Sequence, residues 1–337
     1  MTDVLRTTEA ARLPRPDAAA LLSAYRTMRT VRTFEERLHE AFAAGEIPGF
    51  VHLYAGQEAS AAGVCAHLDD ARDVLASTHR GHGHCIAKGV DVKAMMAEIY
   101  GRASGVCHGK GGSMHIADLG RGMLGANGIV GGGPPLICGA ALAAKVRGDG
   151  GVGVAFFGDG GSNQGTTLES LNLASVWHLP AVFVAENNGY AETTAAGWSV
   201  GGGSIAARAA AFGIAGESVD GSDFFAVYEA AGQAVARARS GGGPTLIEVR
   251  LERYYGHFEG DAQTYRAPDE VARARSGRDC LTRFRQQVTG ARELTLEQLD
   301  SIDAEAARLV DDAVSEAMAA PPPTAADLET DVYVSYR

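Results

Sequence analysis

The chain has 337 residues, of which 46% are apolar, 21% are charged and 44 are glycine. That balance excludes collagen-like, coiled-coil and disordered chains and leaves a globular protein with about twice the usual ~7% of glycine. A chain of this length buries a core without disulfide or metal staples, and a formal net charge of −11 argues against non-specific binding to nucleic acid. Over 17–42, Leu21, Tyr25, Met28, Val31, Leu38 and Phe42 recur at helical spacing, which predicts one long amphipathic helix. Shorter helices are predicted over 57–68 and 92–100, and a glycine-rich stretch over 79–133 predicts tight turns and close backbone approach. From 151 on, short apolar runs (152–157, 180–186, 244–251) alternate with helix-like segments (164–177, 204–212, 223–239). This predicts the α/β class, a doubly wound, mostly parallel sheet with flanking helices. Residues 268–319 read as two or three charged helices ended by Pro321-Pro322-Pro323.

The whole of 1–337 is read as a single domain: N-terminal helices over 1–70, a core over 71–266 and C-terminal helices over 267–337. Five cysteines, odd in number and without a close CxxC pair, fit a reducing, cytoplasmic setting. The opening MTDVLRTTEAARLPRPDAAA has no apolar signal core, and no run approaches the ~18 apolar residues of a membrane span. Neither secretion nor membrane insertion is expected.

The strand at 152–157 runs directly into Gly158-Asp159-Gly160-Gly161 before a helix. A glycine turn that leads from a strand to a helix N-terminus cradles phosphate, because unpaired N–H groups and the positive end of the helix dipole face the anion. The next strand ends in Asn187-Asn188-Gly189-Tyr190, so parallel pairing places Asp159 and Asn188 side by side at the carboxyl edge. A carboxylate, an amide oxygen and a backbone carbonyl are hard ligands suited to Mg²⁺.

The GDG and NN pair resembles the thiamine-diphosphate binding motif. More widely, the chain resembles the alpha subunit of the thiamine-diphosphate-dependent 2-oxo acid dehydrogenase first component, especially its acetoin dehydrogenase branch. GFVHLYAGQEA, STHRGHGHCIAKG, GKGGSMHIAD, GANGIVGGG, FFGDGGSNQG, LPAVFVAENNGY and YYGHFEGDAQTYR carry the likeness. It implies a thiamine-diphosphate-binding fold of the diphosphate type. Asp159, the Asn188 side chain and the Tyr190 carbonyl would then hold Mg²⁺, with Gly158, Gly160 and Gly161 offering backbone to the diphosphate. Arg80 and Arg253 match arginines that contact diphosphate oxygens, and Gly128 and Val130 match backbone positions beside the aminopyrimidine ring. His82 and His257 match two histidines that face the reacting carbon. A carbon nucleophile added to a carbonyl makes an alkoxide, so a group that exchanges protons near neutral pH is needed, and histidine is suited to it. The spacings of His79, His82, His84, His108 and His115 fit no HExxH or Cys/His zinc pattern.

The resemblance also implies what is missing. The pyrimidine-binding half and its glutamate would come from a separate beta subunit in a heterotetramer. The reaction would cleave acetoin, or a 2-oxo acid such as pyruvate, and pass a two-carbon unit to a lipoyl-bearing acyltransferase or another carrier protein. Gly161 stands where the family usually has Ala, and Phe258 where mammalian members carry a phosphorylatable Ser. AETTAAGWSVGGGS and PPLIC depart from the family pattern beside the pocket. Two other readings share the fold: transketolase-like two-carbon transfer to an acyl-carrier-type partner, and a non-catalytic subunit. A dinucleotide-binding reading lacks its GxGxxG signature.

Overall fold

The computed structural model describes residues 13–333. Residues 1–12, where the sequence reading found no signal core, and 334–337 lie outside the described residues. The first helix, α1 (Ala18–Ala43), starts where Asp17 accepts a hydrogen bond from the Ala20 N–H, and it buries the stripe its periodicity marks. It is followed by α2 (Glu58–Cys65), β1 (Val74–Ala76), α3 (His82–Ala87), α4 (Val92–Ile99), β2 (Met123–Gly125) and α5 (Gly133–Arg147). The next elements are β3 (Gly153–Gly158), α6 (Gly165–Val176), β4 (Ala181–Asn187), the small hairpin of β5 (Tyr190–Ala191) and β6 (Thr194–Ala195), and α7 (Ala196–Ser199). The chain continues through β7 (Ala215–Asp220), α8 (Phe224–Arg239), β8 (Thr245–Arg250), α9 (Glu270–Gly277), α10 (Cys280–Gly290) and α11 (Leu296–Ala319).

Six strands form one parallel sheet in the order β2-β1-β3-β4-β8-β7. Its two faces sort the apolar runs by the strand's period of two. Val154, Phe156, Val182, Val184, Ile247 and Val249 pack on the side of α1, α2 and α8. Ala155, Phe157, Phe183, Ala185 and Leu246 pack on the side of α5 and α6. Both faces are covered, which is why β3 and β4 read as unbroken apolar runs. A third apolar cluster joins the start of α1 to α10 and α11 through Tyr25, Met28, Phe284, Leu299 and Ile302.

Several elements carry little local signal. β1 and β2 have three residues each, and α5 begins at the last residue of the glycine-rich stretch and covers residues for which the sequence predicts no element. The edge strand β7, AGESVD, is polar because its outer positions face solvent. The segment expected as a helix over 204–212 is a 3-10 turn over Ala206–Phe212.

The sheet order reverses between β1 and β3: the chain steps outward to β2 on one side and to β4, β8 and β7 on the other. In an open parallel sheet, the carboxyl ends at such a switch leave a crevice.

Candidate active site

Five strands deliver residues to that crevice by running off their carboxyl ends. Ser77 to Arg80 follow β1, Asn127 to Val130 follow β2, Asp159 to Gly161 follow β3, Asn188 and Tyr190 follow β4, and Arg253 and His257 follow β8. With His52 and Gln57 from the stretch before α2, they line a cleft of about 400 Å³. Gly158 pairs with Glu186 in the β3–β4 register, so Asp159 and Asn188 leave adjacent strands close to the same level. Helix α6 starts at this edge without a side-chain cap, so its first N–H groups are open to a ligand, whereas α5 has Pro134 and Pro135 in its first turn, which carry no N–H. Gly160 is required by space: a Cβ there would sit 2.6 Å from that of Ala191. At Gly161 a Cβ would meet Phe157 at 3.4 Å, an ordinary contact, so the family's alanine would fit.

The walls carry buried polar atoms with no partner: Asp159 Oδ2, Arg253 Nη1, Gln57 Nε2 and His52 Nδ1. Each such atom costs about 1–3 kcal/mol unless a ligand satisfies it, and four on one cleft mark a binding surface for a polar ligand. Burial pushes the Asp159 carboxyl up to about 6, because desolvation disfavours its charged form. Arg253 is 2% exposed and anchored by hydrogen bonds to the Tyr255 carbonyl and the Tyr265 hydroxyl, at 3.2 and 2.6 Å. Arg80 donates to the carbonyls of Leu53 and His257 at 2.6 and 2.7 Å, tying the stretch before α2 to the loop after β8. Burial and the charge of Arg253 hold its guanidinium below the usual arginine range.

Glu186 lines the cleft as well and accepts a hydrogen bond from Tyr54. His84 Nε2 lies 3.1 Å from the same carboxylate, and its Nδ1 lies 2.7 Å from Ser77 Oγ. His84 is thus a buried brace beneath the cleft.

The structure corrects the expectation for His82. It opens α3, is fully buried and does not line the cleft. Its Nδ1 lies 3.0 Å from Glu35 on α1, and its Nε2 lies 2.9 Å from Ser113 Oγ. Both ring nitrogens are therefore engaged, Nδ1 by the carboxylate and Nε2 by the serine hydroxyl. The pair holds the glycine-rich loop to α1 and leaves neither ring nitrogen for a substrate. The cleft instead gathers His52, His79 and His257, with ring centroids 4.7 to 5.2 Å apart. Burial, then the charge of Arg80, depresses His52 to about 3, His79 to about 2 and His257 to about 4. His52 and Gln57 were missed as site residues, although both sit in the segment FVHLYAGQEA quoted for the resemblance.

A family model for the dehydrogenase E1 component matches residues 26–326. The chain belongs to the dehydrogenase E1 component family. Membership implies thiamine diphosphate as cofactor, and the cleft fits it through the open start of α6, the Gly160 cradle and the unpartnered Asp159 and Arg253 atoms. The alpha subunit of acetoin:2,6-dichlorophenolindophenol oxidoreductase from Cupriavidus necator is 63% identical over 320 residues, 95% of this chain and 96% of that one. The protein of the same name from Bacillus subtilis is 56% identical over 312 residues, 93% of each chain. The pyruvate dehydrogenase E1 component subunit alpha of Zymomonas mobilis is 42% identical over 318 residues, 94% of this chain and 90% of that one. These relatives are named as alpha subunits, which implies a beta subunit partner.

Proposed function

We propose that this chain is the alpha subunit of a thiamine-diphosphate- and Mg²⁺-dependent enzyme that cleaves acetoin and passes its two-carbon unit to a lipoyl group on an acyltransferase. The observation that carries the reading is the 63% identity, along nearly the whole of both chains, to a subunit named for acetoin oxidation. Asp159, Asn188 and the Tyr190 carbonyl are assigned to the cation. The unpartnered Asp159 Oδ2, and Asn188 Oδ1 turned toward the Tyr190 N–H at 3.3 Å, support this donor set. Arg80, Arg253 and the backbone at Gly158, Gly160 and Gly161 are assigned to the diphosphate, and Gly128 and Val130 to the aminopyrimidine ring.

The chemistry the cofactor supplies when bound is a carbon nucleophile for the donor's carbonyl. His52, His79 and His257 line the same cleft, where their ring nitrogens can hydrogen-bond the oxygens of an α-hydroxyketone whose carbon–carbon bond breaks. A beta subunit is assigned the second half of the site. The five unpaired cysteines support a reducing, cytoplasmic setting.

The test is reconstitution with the candidate beta partner, thiamine diphosphate and Mg²⁺, following reduction of an artificial electron acceptor with acetoin, pyruvate, branched 2-oxo acids and a ketose phosphate. Fastest reduction with acetoin is expected. Preference for pyruvate would move the donor to that of the more distant relatives, and a ketose phosphate preference would replace the reading with two-carbon transfer.

A further inference from the structure

His52, His79 and His257 come from three distant segments: the stretch before α2, the turn after β1 and the loop after β8. Each presents a ring nitrogen within 4.8 Å of those of the other two. We propose that these three imidazoles form a binding site for one divalent transition ion of the zinc class in the cofactor-free chain, and that the ion plugs the cleft.

The donor set is of the right kind. Three imidazoles with an open fourth position are a familiar zinc arrangement, whereas Mg²⁺ and Ca²⁺ prefer oxygen. Zn–N bonds of about 2.0–2.1 Å put tetrahedral ligand atoms about 3.3 Å apart, so the rings need to close by about 1.5 Å at most, within reach of side-chain rotation. His52 already holds a buried Nδ1 with no partner.

The scaffold is prepared for the rings. Arg80 staples the segment of His52 to that of His257 through the Leu53 and His257 carbonyls. Asp261 accepts the His257 backbone N–H at 2.7 Å, which fixes the loop from its other side. Arg80 and Arg253 make the surroundings positive. That field opposes any cation, so only an ion with high affinity for nitrogen overcomes it, and it draws water or an anion to the open position.

The sequence spacings show none of this, because zinc patterns detect ligands close along the chain. Here each ligand follows a different element, and the sheet brings them together.

Zn²⁺ alone, titrated calorimetrically into the purified full-length cofactor-free chain, is expected to bind at one equivalent. His79→Ala and His257→Asn, both checked for a wild-type circular dichroism melt, should each weaken that binding at least about tenfold, the size that loss of even a supporting contact brings. Co²⁺ offers a readout without substitution: intense visible bands of a four-coordinate nitrogen site are expected, and a weak octahedral spectrum would overturn the assignment. Unchanged zinc affinity in both variants would also overturn it. In the complex reconstituted with the candidate beta partner, Zn²⁺ loaded beforehand should weaken binding of thiamine diphosphate with Mg²⁺ at least about tenfold, and equal affinity would overturn the plug. The zinc titration needs no cofactor, so its failure would leave the proposed cofactor site standing.

Discussion

The side-chain amide of Asn188 donates to Gln57 Oε1 across 3.1 Å, which settles which end of the amide faces the cleft. With Nδ2 held by Gln57, Oδ1 is left toward the Tyr190 N–H and the assigned cation position. Gln57 itself is fully buried; its own N–H donates to the Tyr54 carbonyl at 3.2 Å, and the Gly56 N–H before it donates to Glu58 Oε1 at 2.9 Å. Gln57→Ala is expected to weaken Mg²⁺-dependent binding of thiamine diphosphate about tenfold, the equivalent of one lost hydrogen bond near 1.4 kcal/mol. Equilibrium dialysis with and without Mg²⁺ checks it, and the effect should vanish when Mg²⁺ is left out.

Asp159→Asn should bring opposite changes in stability and binding. Burial raises the folded-state pKa from 3.8 to about 6, so the folded chain binds more protons than the unfolded one between those values. The stabilisation from the protonated form is full below about pH 3.8 and is lost as pH rises through about 6, at a cost of up to about 3 kcal/mol at pH 7. The neutral variant avoids that cost. At pH 7, without cofactor, its urea midpoint should exceed the wild type's, with the gain shrinking as pH falls below 6. Metal-dependent cofactor binding should disappear.

The three cleft histidines act in the other direction. Their folded-state values of about 3, 2 and 4 lie below the ordinary 6.5, so the unfolded chain binds more protons in that range. Stability that is full above pH 6.5 is therefore lost as pH falls toward 4. His79→Gln should lose less stability than wild type between pH 7 and pH 5, measured as the change in urea midpoint. An equal loss would remove His79 as a source of acid sensitivity.

Arg32 joins three helices at one buried point. From α1 it meets Glu58 on α2 at 2.6 Å and Asp279, the cap of α10, at 2.9 Å, and all three residues are buried. Arg32→Met keeps the length of the side chain but leaves two buried carboxylates without their cation, so it should destabilise the chain by about 3–5 kcal/mol in denaturant melts. Adding Glu58→Gln to Arg32→Met should recover part of that loss, because it removes one of the stranded charges.

Gly83 shows a demand that no local pattern reveals. A Cβ there would fall 2.1 Å from the Tyr54 ring, which is itself fully buried against Glu186. Gly83→Ala should cost about 1–3 kcal/mol or more through overpacking and should loosen the wall that Glu186 provides. Thermal melts of the variant, together with its cofactor affinity, report both effects.

What the sequence by itself determined was set by short-range periodicity. The stripe through Leu21, Met28 and Leu38 marks α1, and the apolar runs of β3 and β4, with glycine or asparagine turns behind them, mark two central strands and put Asp159 and Asn188 at one edge. Where an element is three residues long, as in β1, or polar at an edge, as in β7, the pattern is too brief or too exposed to stand out. Tertiary structure alone decided which histidines face the cleft. His82 and His84 lie two positions apart on one turn of α3 and point to different buried carboxylates, Glu35 and Glu186. His52, His79 and His257 have no common spacing and meet because β1 and β8 end at the same edge of the sheet, facing the stretch before α2. The chain encodes each strand and helix locally, but convergence of side chains from distant segments depends on strand order and helix packing, which arise only when the whole core closes.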